Sequence, residues 1–135
     1  MQHHRYEKLP EFTDFLGEWS KRFGLDDVYR PLDPGSAERA LAQINARLPT
    51  DYLEMMRQTD GFTVGPWHVL GLAEVHAVAL GAHTYYHLAD DGAFAACVRE
   101  GSRTGTVYVC PIEDDAPSAE GESLRKLIEE SFDEV

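Results

Sequence analysis

With 24 acidic against 12 basic residues in a chain of 135, the formal charge is −12, which argues against direct nucleic-acid binding, because phosphate contacts need a basic face. A hydrophobic content of 43% is that of a folded chain rather than a disordered one, and the length fits one domain with a sizeable core. No apolar run approaches the ~20 residues of a bilayer span, and MQHHRYEKLPEF has no apolar signal core, so the expected place is the cytoplasm, off the membrane.

The first predicted element is an amphipathic helix over residues 9–23, with Pro10 in its first turn. Phe12, Phe15, Leu16, Trp19 and Phe23 line one stripe, and Gly24 ends it. Four aromatics on one face must be buried, either against the rest of the chain, in a dimer contact or against a partner helix. Leu25 to Gly35 is a connector punctuated by Asp26-Asp27, Pro31, Pro34 and Gly35. A second helix is expected to start at a Ser36 cap and to carry Ala37, Ala40, Leu41, Ile44 and Leu48 at helical spacing.

A third, short helix is expected in LPTDYLEMMRQTDGF, Leu48 to Phe62. Pro49 suits its first turn, and Asp51 and Glu54 suit the positive end of its dipole. Leu48, Tyr52, Met55 and Met56 form its buried stripe, and Asp60-Gly61 is the expected stop. A largely buried strand over Pro66 to Leu72 follows, and Leu72 to Leu80 reads as a short helix. Tyr85 to Leu88, Ala93 to Arg99 and Thr106 to Ile112 are expected strands, the last two joined through EGSRTG. Glu113 to Glu122 reads as an acidic loop. Leu124, Leu127, Ile128 and Phe132 mark a closing amphipathic helix. Helices, then a block of strands, then a helix predict an α+β fold with a mostly antiparallel sheet flanked by helices.

This order resembles the SUKH superfamily over roughly Ser36 to Phe132. The carriers are Leu48-Pro49, Tyr52, the apolar Met55 and Met56, and Asp60-Gly61 ahead of a Trp-bearing strand. LAEV, the acidic turn Asp90-Asp91-Gly92, two strands and a closing helix ending in Ser131-Phe132 continue the match. The chain has Asp60-Gly61 where the family often has Asn-Gly. The resemblance implies a SUKH-like domain over 36–135, with 1–35 as an added N-terminal helical extension packed on it. Members include bacterial toxin-immunity proteins, which bind a cognate toxin (often a nuclease), and fungal cell-wall regulators. A non-enzymatic protein-binding module without cofactor is therefore expected, an immunity protein first and a regulatory scaffold second.

Catalytic signals are sparse. His83 and His87 sit four apart in HTYYH with His68 and His76 upstream, but HExxH is absent, so a metal-dependent hydrolase is the weaker reading. His3 and His4 fall in the terminal segment, where order is lowest. No GxSxG, GxxxxGK[ST] or GxGxxG occurs, and Cys97 lies in an apolar strand where a thiol is inert. Cys97 and Cys110 could meet across neighbouring strands, although reduced thiols are expected without an export signal.

Charge is uneven: residues 61–135 hold thirteen acids against four bases. Asp90 and Asp91 precede one strand of the predicted hairpin, and Glu113, Asp114 and Asp115 follow the other, so all five belong at one end of it. With Trp67, Tyr85 and Tyr86 nearby, they form a candidate binding surface for a basic protein partner, such as a cationic toxin domain. The alternative is that the aromatics are core and the acids only solvate loop ends. A monomer or weak homodimer is expected, with the aromatic first helix as the dimer contact.

Overall fold

The computed structural model describes residues 5–112, 116–119 and 121–133, with the backbone alone described at Asp133. Among these, four helices accompany a seven-stranded antiparallel sheet, an α+β architecture. The helices are α1 (Asp14–Arg22), α2 (Pro34–Ala42), α3 (Thr50–Gln58) and α4 (Leu124–Asp133). The strands are β1 (Gly61–Val64), β2 (Trp67–Leu70), β3 (His76–Leu80), β4 (His83–Asp90), β5 (Phe94–Arg99), β6 (Tyr108–Pro111) and β7 (Ser118–Ala119). They run in the order β1-β2-β4-β5-β6-β7. β4 is long enough to take two partners on one edge, β3 along its first half and β2 at its end.

α1 starts at Asp14, five residues later than its apolar stripe suggests. The chain ahead of it stays extended because Gln58 grips its backbone: Gln58 Oε1 accepts from Thr13 N at 2.7 Å and Gln58 Nε2 donates to Thr13 O at 3.2 Å. This approach passes over Gly17, where a Cβ would lie 2.4 Å from Phe12 O. Glycine inside a helix costs about 1 kcal/mol relative to alanine. Here the crossing requires it.

α2 begins two residues before Ser36, with Asp33 as its cap. Asp33 Oδ2 accepts from Ser36 N at 3.0 Å, and Pro34 fills the first turn. α2 ends at Ala42, so Ile44 and Leu48 fall beyond it. In α3, Pro49 is the N-cap residue rather than part of the first turn. Extended Thr59 ends α3, before Asp60-Gly61 is reached. Those two residues serve the next turn instead: Asp60 Oδ1 accepts from Leu72 N at 2.7 Å, and a Cβ on Gly71 would lie 2.3 Å from Asp60 O.

Past Gly61 the single expected strand is a hairpin, β1 and β2, turning at Gly65-Pro66. Leu72 to Leu80, expected as a helix, contains β3 instead. Its helix-forming residues (Ala, Leu, Glu) are overridden by pairing from His76↔His87 to Leu80↔His83. β5 and β6 form the expected hairpin. Ser118–Ala119 of the expected loop pairs with β6.

One core cluster joins the helices to one sheet face, with Leu16, Trp19, Tyr52, Phe62, Leu88 and Ile128 buried within it. The N-terminal segment belongs to this core. Trp19 meets Phe62 edge-on at 6.3 Å, and Asp26 and Thr63 exchange backbone hydrogen bonds at 2.8 and 2.9 Å. The stripe of α1 is thereby used up inside the chain, which leaves Phe15, Leu16 and Trp19 unavailable for the dimer contact expected there. α4 is tied down on three sides. Asp51 of α3 accepts from Ser123 Oγ at 2.6 Å, Trp19 Nε1 donates to Glu129 Oε2 at 2.8 Å, and Phe23 stacks on Phe132 at 4.1 Å. Among the described residues no helix is long and apolar enough to cross a membrane.

Candidate functional site at the acidic end of the sheet

The β4–β5 turn is built by its acids. Asp91 Oδ1 accepts from Ala93 N at 2.9 Å and Phe94 N at 2.7 Å, which fixes a tight turn with Gly92 at φ +91°. Asp90 Oδ1 accepts from Gly92 N at 3.2 Å, and its Oδ2 lies 3.1 Å from His87 Nε2. Both carboxylates thus stand at one sheet end, held by local bonds. β6 reaches the same end, since Ile112 N donates to Ala93 O at 2.9 Å. Glu113, Asp114 and Asp115 come next in the chain and lie outside the described residues, as do His3 and His4.

The three predicted aromatics are buried and do not share a face. Trp67 is 3% exposed, its Nε1 donating to Ser131 Oγ at 2.8 Å. Tyr86 faces the helices; its hydroxyl accepts from Asn45 N at 3.0 Å and donates to Glu100 Oε2 at 3.3 Å. Tyr85 points to the opposite face, edge-on to Tyr108 at 5.3 Å, and burial raises its phenol above the usual range.

One of them does border a cavity beside the acidic turn. A groove of about 290 Å³ runs between α4 and the sheet, lined by Trp67, Asp91, Phe94, Val109, Leu127 and Glu130. Phe94 is 44% exposed, a large aromatic left partly in water. Asp91 and Glu130 supply the charge, with Lys126 Nζ 3.9 Å from Glu130 as a weak surface pair. Phe94 escapes sequence reasoning because alternation along AFAACVRE places it with inward-facing Ala96 and Val98; the strand's first residue simply overhangs the core. Two acids and an exposed ring around a concavity suit a cationic partner with an apolar side chain to insert.

The groups considered for catalysis fall elsewhere. On a strand, His83 and His87 lie about 13 Å apart along the backbone, too far for one metal to bridge. Arg99 Nη2 contacts His83 at 2.9 Å, and His76 stacks on His87 at 5.1 Å. Among the described residues no group of three or more His, Cys, Asp or Glu is placed to hold a metal ion. Cys97 and Cys110 are buried, reduced thiols, and burial pushes Cys97 up to about 12. Ser123 donates to Asp51 as part of a helix cap. No family model, curated protein or solved structure matches this chain.

Proposed function

We propose that this chain is a non-enzymatic protein-binding module of the SUKH type, an intracellular immunity protein that neutralises a basic toxin domain by covering it. What carries the reading is the surroundings of Asp91: an acidic turn, a half-exposed Phe94 and a groove, in one patch of a chain of charge −12. A cationic substrate groove, such as a nuclease presents to nucleic acid, would be attracted to that patch and blocked by it. Leu48, Tyr52 and Gly61 serve as scaffold in this reading, because they are buried in the fold.

The immunity role predicts a toxin domain encoded beside the gene, and the test pairs this chain with that domain. Cells producing that domain should grow only when the chain is co-produced, and the two proteins should form a one-to-one complex that weakens as salt rises. Growth arrest despite co-production, with no complex, would refute the immunity role.

A further inference from the structure

One wall of the groove beside the acidic turn is a fixed ring. Trp67 Nε1 donates to Ser131 Oγ at 2.8 Å, and Ser131 Oγ donates in turn to Ile128 O at 2.6 Å, so the indole is locked and its one donor is spent. Val109 and Leu127 add apolar surface, and the Phe94 ring stands half in water. The charges on the groove are both negative. Asp91 is held rigidly, because its Oδ1 takes the amides of Ala93 and Phe94, while among the described residues its Oδ2 accepts no hydrogen bond. Glu130 faces Lys126 across 3.9 Å with both side chains more than half exposed, a contact worth little in water.

Apolar walls with anionic ends fit a side chain that has a long apolar stem and a cationic head. We infer that the groove holds one arginine side chain of the partner protein, its guanidinium against the Phe94 ring and donating to Asp91 and Glu130, its methylenes along Leu127 and Val109. This rests on the reading of the patch as the partner-binding surface, and it makes the partner's charge and its inserted side chain a single residue. Arginine suits the site better than lysine. Its planar head stacks on an aromatic face, its five N–H donors let one head serve two carboxylates, and it is the more weakly hydrated cation. At about 290 Å³ the groove falls just short of the roughly 300–1,000 Å³ of small-molecule sites, which leaves room for one side chain. The chain's own residues next in sequence to this end, Glu113, Asp114 and Asp115 after β6 and Glu134 after α4, carry the wrong charge to compete for it.

The test is an NMR titration of the isotope-labelled whole chain with a blocked glycine–arginine–glycine peptide and its lysine and norleucine counterparts. The arginine peptide should shift the Trp67 indole N–H and the amides of Ala93 and Phe94 saturably, in the millimolar range, and bind about threefold or more tighter than the lysine peptide. The norleucine peptide should leave those signals in place. Phe94→Ala should erase the preference for arginine while the circular dichroism stays native, and Asp91→Asn with Glu130→Gln should abolish saturation. Several results would overturn the inference: equal binding of arginine and lysine, binding of norleucine, no saturable shift by any of the three, or a preference that survives Phe94→Ala. So would arginine shifts as large around the exposed Asp26-Asp27 pair as at the groove. All of these leave the immunity role untouched, since that role stands or falls on growth and complex formation.

Discussion

At Asp51 one carboxylate of α3 accepts three hydrogen bonds from the start of α4: Ser123 Oγ at 2.6 Å, Arg125 N at 3.0 Å and Leu124 N at 3.2 Å. In sequence it reads only as an acid near the α3 dipole, because its real partners lie over seventy positions away. Removing it leaves amide donors of α4 without their cap, at a cost of about 0.5–2 kcal/mol. We expect Asp51→Ala to lower the urea midpoint accordingly at unchanged slope, with Asp51→Asn in between; an unaltered midpoint would show that the cap is not structural. His87 makes a second residue-scale prediction. Burial holds it below the ordinary histidine range, against the opposing pull of Asp90. The folded state binds this proton less tightly than the unfolded chain, so its contribution is complete above about pH 6.5 and declines as the pH falls below it. Urea midpoints at about pH 7.5 and 5.5 should therefore fall toward acid, and His87→Gln should remove part of that fall.

Among the elements, α1 and β3 mark the limits of reading period from sequence. Phe12 to Phe23 has a helical stripe, yet its first turn is extended because Gln58, from a distant helix, takes the Thr13 backbone into a side-chain amide pair. The clue was Gly17, a glycine inside an otherwise apolar-periodic helix, whose missing Cβ makes room for Phe12 O. Gly17→Ala should accordingly destabilise the protein by about 1–3 kcal/mol in thermal unfolding, although helix propensity alone favours alanine by about 1 kcal/mol. A stabilised variant would mean that the crossing is loose. β3 was illegible for a different reason: LAEVHAVAL suits a helix locally, and only the free edge along the first half of β4 makes it a strand. The α3 stripe, the β5–β6 hairpin and α4 were legible, since each is specified by its own spacing and turn residues.

For the molecule as a whole, the uneven charge was plain from sequence and so was the end of the sheet where Asp90 and Asp91 stand. Which aromatics belong to that end was not. Trp67 does border the groove at that end but is buried, Tyr85 and Tyr86 are buried elsewhere on β4, and Phe94, at the exposed start of β5, supplies the exposed ring. Alternation tells which face a residue shares but not where the covering helices stop. On the proposed function, Asp90 and Asp91 would hasten encounter with a cationic partner, and Phe94 with its groove would slow departure. Asparagine keeps the side-chain carbonyl that accepts from Ala93 and Phe94, so Asp→Asn changes charge while sparing the turn.

The most direct measurement is stopped-flow association of this chain with the basic toxin domain that the proposal expects to be encoded beside it, at low and high salt, for the wild type, Asp90→Asn/Asp91→Asn and Phe94→Ala. The double variant should associate about tenfold more slowly with a flattened salt dependence, and Phe94→Ala should dissociate faster at an unchanged association rate. Association, dissociation and salt dependence all equal to wild type in both variants would contradict it.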